Sequence, residues 1–262
     1  MIDIHCHLLH EIDDGSRNMD ESLKQLNVMA AGGITHAFLT SHYFRGHYHY
    51  TRDEYMSKFK MLQQEAKNQS IPIELIPGFE VFLQPGIEDD IVQHQLTLGD
   101  SSYVLIESEL NGLPSDFYDN VYKILRKGFK PILAHAERYV SIMAKSNEAK
   151  DLVDRNMYIQ VNGGSLTGLY GDKVQRTAWK LVENGLAHFI GSDDHVRGPY
   201  ESFFQSRDLI NERIDDVTGE LLFQTHSRAV LNNTKIPYRY VMVQKQHHKS
   251  HHKKGFFSKI FG

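Results

Sequence analysis

Short apolar, often β-branched runs alternate with longer stretches of helical period along most of the chain. Seven such runs, at residues 2–4, 36–40, 73–77, 103–106, 131–134, 158–161 and 187–190, predict strands. Amphipathic stretches between them, at 20–31, 51–68, 115–127, 147–156 and 171–184, predict helices. In the first of these, Leu23, Leu26, Met29 and Ala30 recur at the three-to-four spacing that gathers apolar side chains on one helix face. Gly32 and Gly33, Gly128 and Gly185 each stand between a helical stretch and the next run, the place of a C-terminal cap. Repeated strand–helix alternation predicts a parallel α/β sheet, and seven strands in that rhythm favour its closure into a barrel. Residues 81–98 break the rhythm and predict an excursion with extra short strands, while 202–214 and 216–232 predict two closing helices.

A chain of 262 residues suits one such domain, and 40% hydrophobic with 24% charged residues is ordinary for a globular protein with a sizeable core. The net charge of −4 gives no reason to expect a nucleic-acid partner. With Cys6 as the single cysteine no intramolecular disulfide can form, and a reducing compartment is the simpler expectation. The first residues lack the basic start and apolar run of a signal peptide, and no stretch approaches the roughly 18 consecutive apolar residues of a membrane-spanning helix. A cytoplasmic location follows as the expectation. Residues 244–262 differ from the rest: a basic, histidine-rich run is followed by Phe256, Phe257, Ile260 and Phe261. They are expected to form a tail apart from a domain at 1–243. A solvated terminus and a weak contact with the anionic inner-membrane surface are both open for it.

Sixteen histidines are more than packing requires, and only His247, His248, His251 and His252 belong to the tail. In parallel α/β barrels the active site forms at the C-terminal ends of the strands, and polar residues gather at those positions here. The first run leads into His5 and His7, with Asp14 in the loop beyond. The second leads to His42, the third to Glu80, the fourth to Glu107, the fifth to His135, and the seventh to Asp193 and His195. A lone histidine at a strand end is more often structural, but His5 and His7 sit at alternate positions, which share a side of a strand. Burying nine such groups together without cations would cost more than a marginally stable domain tolerates. Imidazole with carboxylate suits two or three divalent ions, manganese, iron or zinc, and a bridging carboxylate can hold a pair about 3.5–4 Å apart. Such a centre activates water near neutral pH and clamps phosphate oxygens during in-line attack. Arg138, three residues after His135, and Arg197, two after His195, add planar forks matched to phosphate and are the expected catalytic cations.

Other chemistries fit less well. Cys6 lies between two expected ligands and should face away from them into packing. Neither a Gly-x-Ser-x-Gly elbow nor a phosphate-binding glycine loop occurs, and Asn162-Gly163-Gly164-Ser165 reads as a tight turn. Tyr43, Phe44, Tyr48 and Tyr50 are either walls for an aromatic substrate or a structured loop.

His5-x-His7, Asp14, His42, Glu80, Glu107, His135 and Asp193-x-His195 resemble, in order, the polymerase-and-histidinol-phosphatase (PHP) superfamily. The opening Met1 to Gly15, the segment from His135 to Tyr139 and Ser192 to His195 look like one branch of it. That branch comprises the manganese-dependent protein-tyrosine phosphatases of bacterial capsule and exopolysaccharide operons. The resemblance implies a distorted seven-stranded (β/α)7 barrel and a trinuclear centre. His5, His7, Glu80 and Asp193 would hold one ion, and Glu80 would bridge to a second on Glu107 and His135. Asp14, His42 and His195 would hold the third. Arg138 matches the branch's phosphate arginine, although Ala136 replaces the neighbouring proline. The second arginine of relatives falls near Tyr200, so Arg197 would have to substitute from a shifted loop. The implied substrate is phosphotyrosine on a bacterial tyrosine kinase, with Mn2+ as cofactor; an oligomer is compatible. The rivals are a small-molecule PHP phosphoesterase such as histidinol-phosphate phosphatase, an amidohydrolase-type barrel, and a non-catalytic metal-binding module. The amidohydrolase class usually needs a bridging lysine that no strand end here supplies.

Overall fold

The computed structural model describes residues 1–198 and 200–239. Seven strands follow one another around a sheet in chain order, every neighbouring pair parallel. They are β1 (Ile2–Cys6), β2 (His36–Tyr43), β3 (Glu74–Phe82), β4 (Tyr103–Glu107), β5 (Lys130–Leu133), β6 (Tyr158–Asn162) and β7 (Phe189–Gly191). The sheet curls until its two edges meet. His7 N–H donates to the Asp194 carbonyl and Asp193 N–H to the His5 carbonyl, each at 2.8 Å, and Cys6 bridges Asp194 in parallel. Asp3 fastens this seam, its buried carboxylate accepting Ser192 N–H at 3.0 Å and the Tyr200 hydroxyl at 2.9 Å. The result is the expected distorted (β/α)7 barrel.

The intervening helices are α1 (Met19–Ala31), α2 (Arg52–Asn68), α3 (Ile87–His94), α4 (Phe117–Arg126), α5 (Val140–Ala144), α6 (Asn147–Asp154), α7 (Gly163–Thr167) and α8 (Asp172–Glu183). Local sequence starts and stops them. The Asn18 side chain caps α1, and Thr51 with Glu54 forms a reciprocal capping box on α2. The glycines expected to close α1, α4 and α8 do so in the left-handed region, at Gly33, Gly128 and Gly185. Two expectations are corrected. Residues 81–98 hold no extra strands: β3 runs on to Phe82 and the stretch beyond carries α3, whose buried Ile87 and Ile91 sit one helical turn apart. Asn162 to Ser165 is not a bare turn, because the chain enters α7 directly from β6. The closing helices are α9 (Glu201–Arg213), α10 (Asp216–Glu220) and α11 (His226–Leu231), the last two joined by a π turn at Leu221–Thr225.

Two apolar cores flank the strands. One lies between strands and helices. The other draws Ile2, Phe38, Ile76, Tyr103, Ile132, Tyr158 and Phe189 together, one from every strand, which only the barrel interior can do. Val230 and Ile236 close its floor, where the Tyr103 and Tyr158 hydroxyls donate to the Thr234 and Ile236 carbonyls, each at 2.7 Å. The opposite mouth is left to polar side chains. Among the described residues no helix is long and apolar enough to cross a membrane. The tail at 244–262, with the membrane contact expected of it, lies outside the described residues.

Candidate metal centre

Alternation along each strand carries the chain from the apolar interior to the polar mouth. In β2, Phe38 is followed on the same side by Thr40 and His42; in β3, Ile76 by Gly78 and Glu80; in β4, Tyr103 by Leu105 and Glu107. Two strands need a change of phase. The β1–β2 register shifts between Asp3 and Cys6, which lets His5 and His7 take over the side held by Ile2 and Ile4. Just past β5, His135 sits at φ 36°, directly after the inward Ala134. Past β7, Asp193 keeps the side of Phe189 and Gly191, and its backbone also sits in the left-handed region, at φ 54°. Left-handed backbone is costly for both residues, and such strain is characteristic of positions that function fixes.

All nine expected ligands reach one cluster. Among the described residues, three overlapping groups have ligand atoms within 4.8 Å of one another: His5, His7, Glu80, Asp193; His7, Asp14, His42, His195; and His42, Glu80, Glu107. Glu80 Oε2 lies 3.3 Å from both His5 Nε2 and His7 Nε2 and 3.1 Å from His42 Nδ1. His135 Nε2 is 2.9 Å from Glu80 Oε1 and 3.9 Å from Glu107 Oε2. His42 faces two ways, its Nδ1 2.9 Å from Glu107 and its Nε2 3.5 Å from Asp14. His195 Nε2 stands 3.4 Å from the same Asp14 oxygen. Despite these short separations, the buried Glu80 Oε2 has no partner in hydrogen-bonding geometry. Lone pairs converging on a point, rather than N–H groups aimed at oxygens, are what a cation requires. The donor set therefore fits divalent metal.

Charge tells the same story. Burial alone would depress the pKa of His5, yet the Glu80 and Asp193 carboxylates push it up to about 9. For His42, burial is likewise outweighed by Glu80 and Glu107, and the value rises to about 10. Glu80 is held well below the usual carboxylate range, its burial overcome by His5 and His42. In the cation-free protein, protons on His5 and His42 offset the charge of the carboxylates beside them.

Several supports escaped the sequence reading. Gln160 Oε1 accepts His135 N–H at 2.8 Å and meets His5 Nδ1 at 3.1 Å, so His5 carries its proton there and frees Nε2. Gln160 in turn donates to Asn162, whose amide donates to Asp193 Oδ2 at 2.7 Å. Buried Glu137 accepts from Ser165 and from Asn162 N–H, tying the loop after β5 to β6. A glutamine and an asparagine two apart inside an otherwise apolar strand are the signal that was available for Gln160 and Asn162.

The two expected arginines arrive at different edges. Arg138 donates to Asp193 Oδ2 at 3.1 Å and lies over the Tyr170 ring. Arg197 is exposed, hydrogen-bonds the Asp14 carbonyl and stands 3.8 Å from the Asp14 carboxylate. Tyr200 is buried on Asp3 and brings no cation to the mouth. Of the four loop aromatics only Tyr48 reaches the cluster, stacked within 2° of parallel on His42 at 5.4 Å. Phe44 packs on Phe82, Tyr43 bonds Asp90, and Tyr50 bonds the His42 carbonyl. Cys6 is buried, donates to the Phe38 carbonyl, and its thiol is pushed well up by burial, as its expected packing role requires.

Comparison with known proteins places this geometry. The family model described as capsular polysaccharide synthesis, CpsB/CapC, matches residues 1–232. The tyrosine-protein phosphatase YwqE of Bacillus subtilis is 31% identical over 196 residues, 74% of this chain and 77% of that protein. The putative tyrosine-protein phosphatase CapC of Staphylococcus aureus is 29% identical over 90% of this chain and 93% of its own length. A crystal structure among those of YwqE from Bacillus subtilis and CpsB from Streptococcus pneumoniae, described as metal-dependent tyrosine phosphatases, superposes with a TM-score of 0.86. It is 27% identical, over 93% of this chain and 99% of that one.

Proposed function

The chain belongs to the CpsB/CapC family of capsular polysaccharide synthesis, and on that basis we propose how its polar mouth works. It is a metal-dependent protein-tyrosine phosphatase, a phosphoric monoester hydrolase. His5, His7, Glu80 and Asp193 would hold one cation, Glu80 with Glu107 and His135 a second, and Asp14, His42 and His195 a third. Mn2+ is the proposed ion, in a donor set that also accepts iron or zinc. When bound, the cations supply Lewis-acid charge to the phosphate oxygens and activate water as the nucleophile.

The chain's own residues orient and enclose. Arg138, anchored on Asp193 and steadied by the Tyr170 ring, keeps guanidinium N–H groups for phosphate oxygens. Arg197 stands at the Asp14 edge and serves the same purpose from the other side. Tyr48 offers a ring face beside the cluster to the aromatic ring of phosphotyrosine. The proposed substrate is phosphotyrosine on a bacterial tyrosine kinase of the capsule system, met in the cytoplasm, where the lone thiol stays reduced.

The observation that carries this reading is the crowding of three imidazole nitrogens within 3.3 Å of the unpartnered Glu80 Oε2. The test is phosphate release from a phosphotyrosine peptide by cation-stripped protein, with and without Mn2+, beside Glu80→Gln. Mn2+-dependent release that the variant loses supports it. Release from histidinol phosphate alone would leave the metal centre and remove the kinase. Silence on every phosphoester with cations bound would leave a binding module.

A further inference from the structure

Asp14 was the acid that the sequence offered from the loop after β1, but its neighbour is the more deeply built of the two. The side chain of Asp13 is fully buried, whereas that of Asp14 is nearly half exposed. Asp13 Oδ2 lies 2.9 Å from His7 Nδ1 and also accepts the backbone N–H of His42 at 2.9 Å. Asp13 Oδ1 accepts Gly15 N–H at 3.0 Å. The loop is drawn onto His7 at close range: Ser16 N–H donates to the His7 carbonyl at 3.1 Å, and a Cβ on Gly15 would run into that same carbonyl. Asp13, Asp14 and Gly15 thus have three different tasks, and only that of Asp14 is to face the cluster.

We propose that Asp13 is the positioning residue of the whole centre, setting through one oxygen both the tautomer of His7 and the place of His42. It rests on the reading of the cluster as a metal centre. His7 belongs to two of the three ligand groups and His42 to two, so that between them they take part in all three. A carboxylate oxygen only accepts, hence His7 donates from Nδ1 and keeps the Nε2 lone pair toward Glu80 and Asp193. An asparagine cannot replace it. Both Asp13 oxygens receive N–H groups, so an amide turned either way sets its NH2 against a donor. If the NH2 faces His7, it favours the tautomer protonated at Nε2, which no longer ligates. Position, charge and acceptor count are all needed.

The test is Mn2+ titration of the cation-stripped full-length chain by calorimetry, wild type against Asp13→Asn, with thermal melts of both cation-free proteins. Binding weakened roughly 10- to 100-fold, at more than one step, with cation-free melting temperatures close together, is the expected result. Equal binding by the variant overturns the proposal. Long-range 1H–15N spectra of the zinc-loaded wild type decide the matter even if the variant does not fold. His7 should be protonated at Nδ1 and metal-shifted at Nε2, and a proton on Nε2 refutes it. These readouts do not involve turnover. A wild type that binds cations in this way but releases no phosphate from phosphotyrosine contradicts the catalytic reading and leaves Asp13 standing.

Discussion

Loading the centre with cations should expel protons, and the number can be worked from the cluster. Burial would lower both imidazoles, but Glu80 and Asp193 hold His5 at about 9, and Glu80 and Glu107 hold His42 at about 10. At pH 7.5 both therefore carry a full extra proton in the cation-free protein. His195 is also raised, its burial outweighed by Asp14 and Asp193. A ligating imidazole is neutral, so these protons must leave as the ions enter. The expectation is release of about two protons per fully loaded chain, with apparent affinity rising roughly a hundredfold per pH unit between pH 7 and 8.5. Calorimetric titration of stripped protein with Mn2+ in two buffers of equal pH but different protonation enthalpy gives the count directly. Release of fewer than one proton would mean that the imidazoles are neutral before the ions arrive. The account of charge balance in the mouth would then be wrong.

Two further outcomes are expected. His188, at the barrel floor, accepts Ile159 N–H at Nδ1 and meets the Tyr238 carbonyl through Nε2, and burial holds its pKa down to about 4. Because the unfolded chain takes up this proton first, the contribution is fully present above about pH 6.5 and fades as pH falls toward 4, by about 3 kcal/mol in all. In urea melts the stability gap between wild type and His188→Gln should narrow across that window, and a constant gap refutes the assignment. Removing the ring in Tyr48→Ala should raise KM for a phosphotyrosine peptide roughly 2- to 10-fold, the worth of one aromatic contact, and leave KM for an alkyl phosphate unchanged. Equal effects on both substrates would show that the ring only packs.

The strands were legible because each begins as an apolar run, and their shortfall has a single cause. Hydropathy ends a strand where its side chains turn polar, yet the ladder does not stop there. β2 was expected over 36–40 and continues to Tyr43, and β3 was expected over 73–77 and continues to Phe82. The missed residues include His42 and Glu80, which the pattern treated as sitting beyond the strands. Both lie within them, in register with each other. Residues 81–98 misled for the converse reason: Val81, Phe82 and Leu83 extend an apolar run without alternation, and the short α3 holds only two buried positions, Ile87 and Ile91.

The proposed ligands were legible by residue type, whereas what aims them was not. Gln160, Asn162 and Asp13 carry little or no signal individually, since their meaning lies in which atom each accepts from or donates to across the barrel. Nor does the sequence announce the two places where the inner face changes phase. A strand in regular alternation that points Ile2 and Ile4 inward must point His5 and His7 outward. The register shift in β1 lets an apolar interior and a pair of adjacent proposed ligands come from one strand. His135 achieves the same change through left-handed backbone instead of a bulge. Each irregularity stands on the boundary between the apolar floor and the charged mouth, and each delivers a proposed ligand. The distortion of the barrel is thus the means by which strands built to bury hydrocarbon also present histidine and carboxylate to a common point.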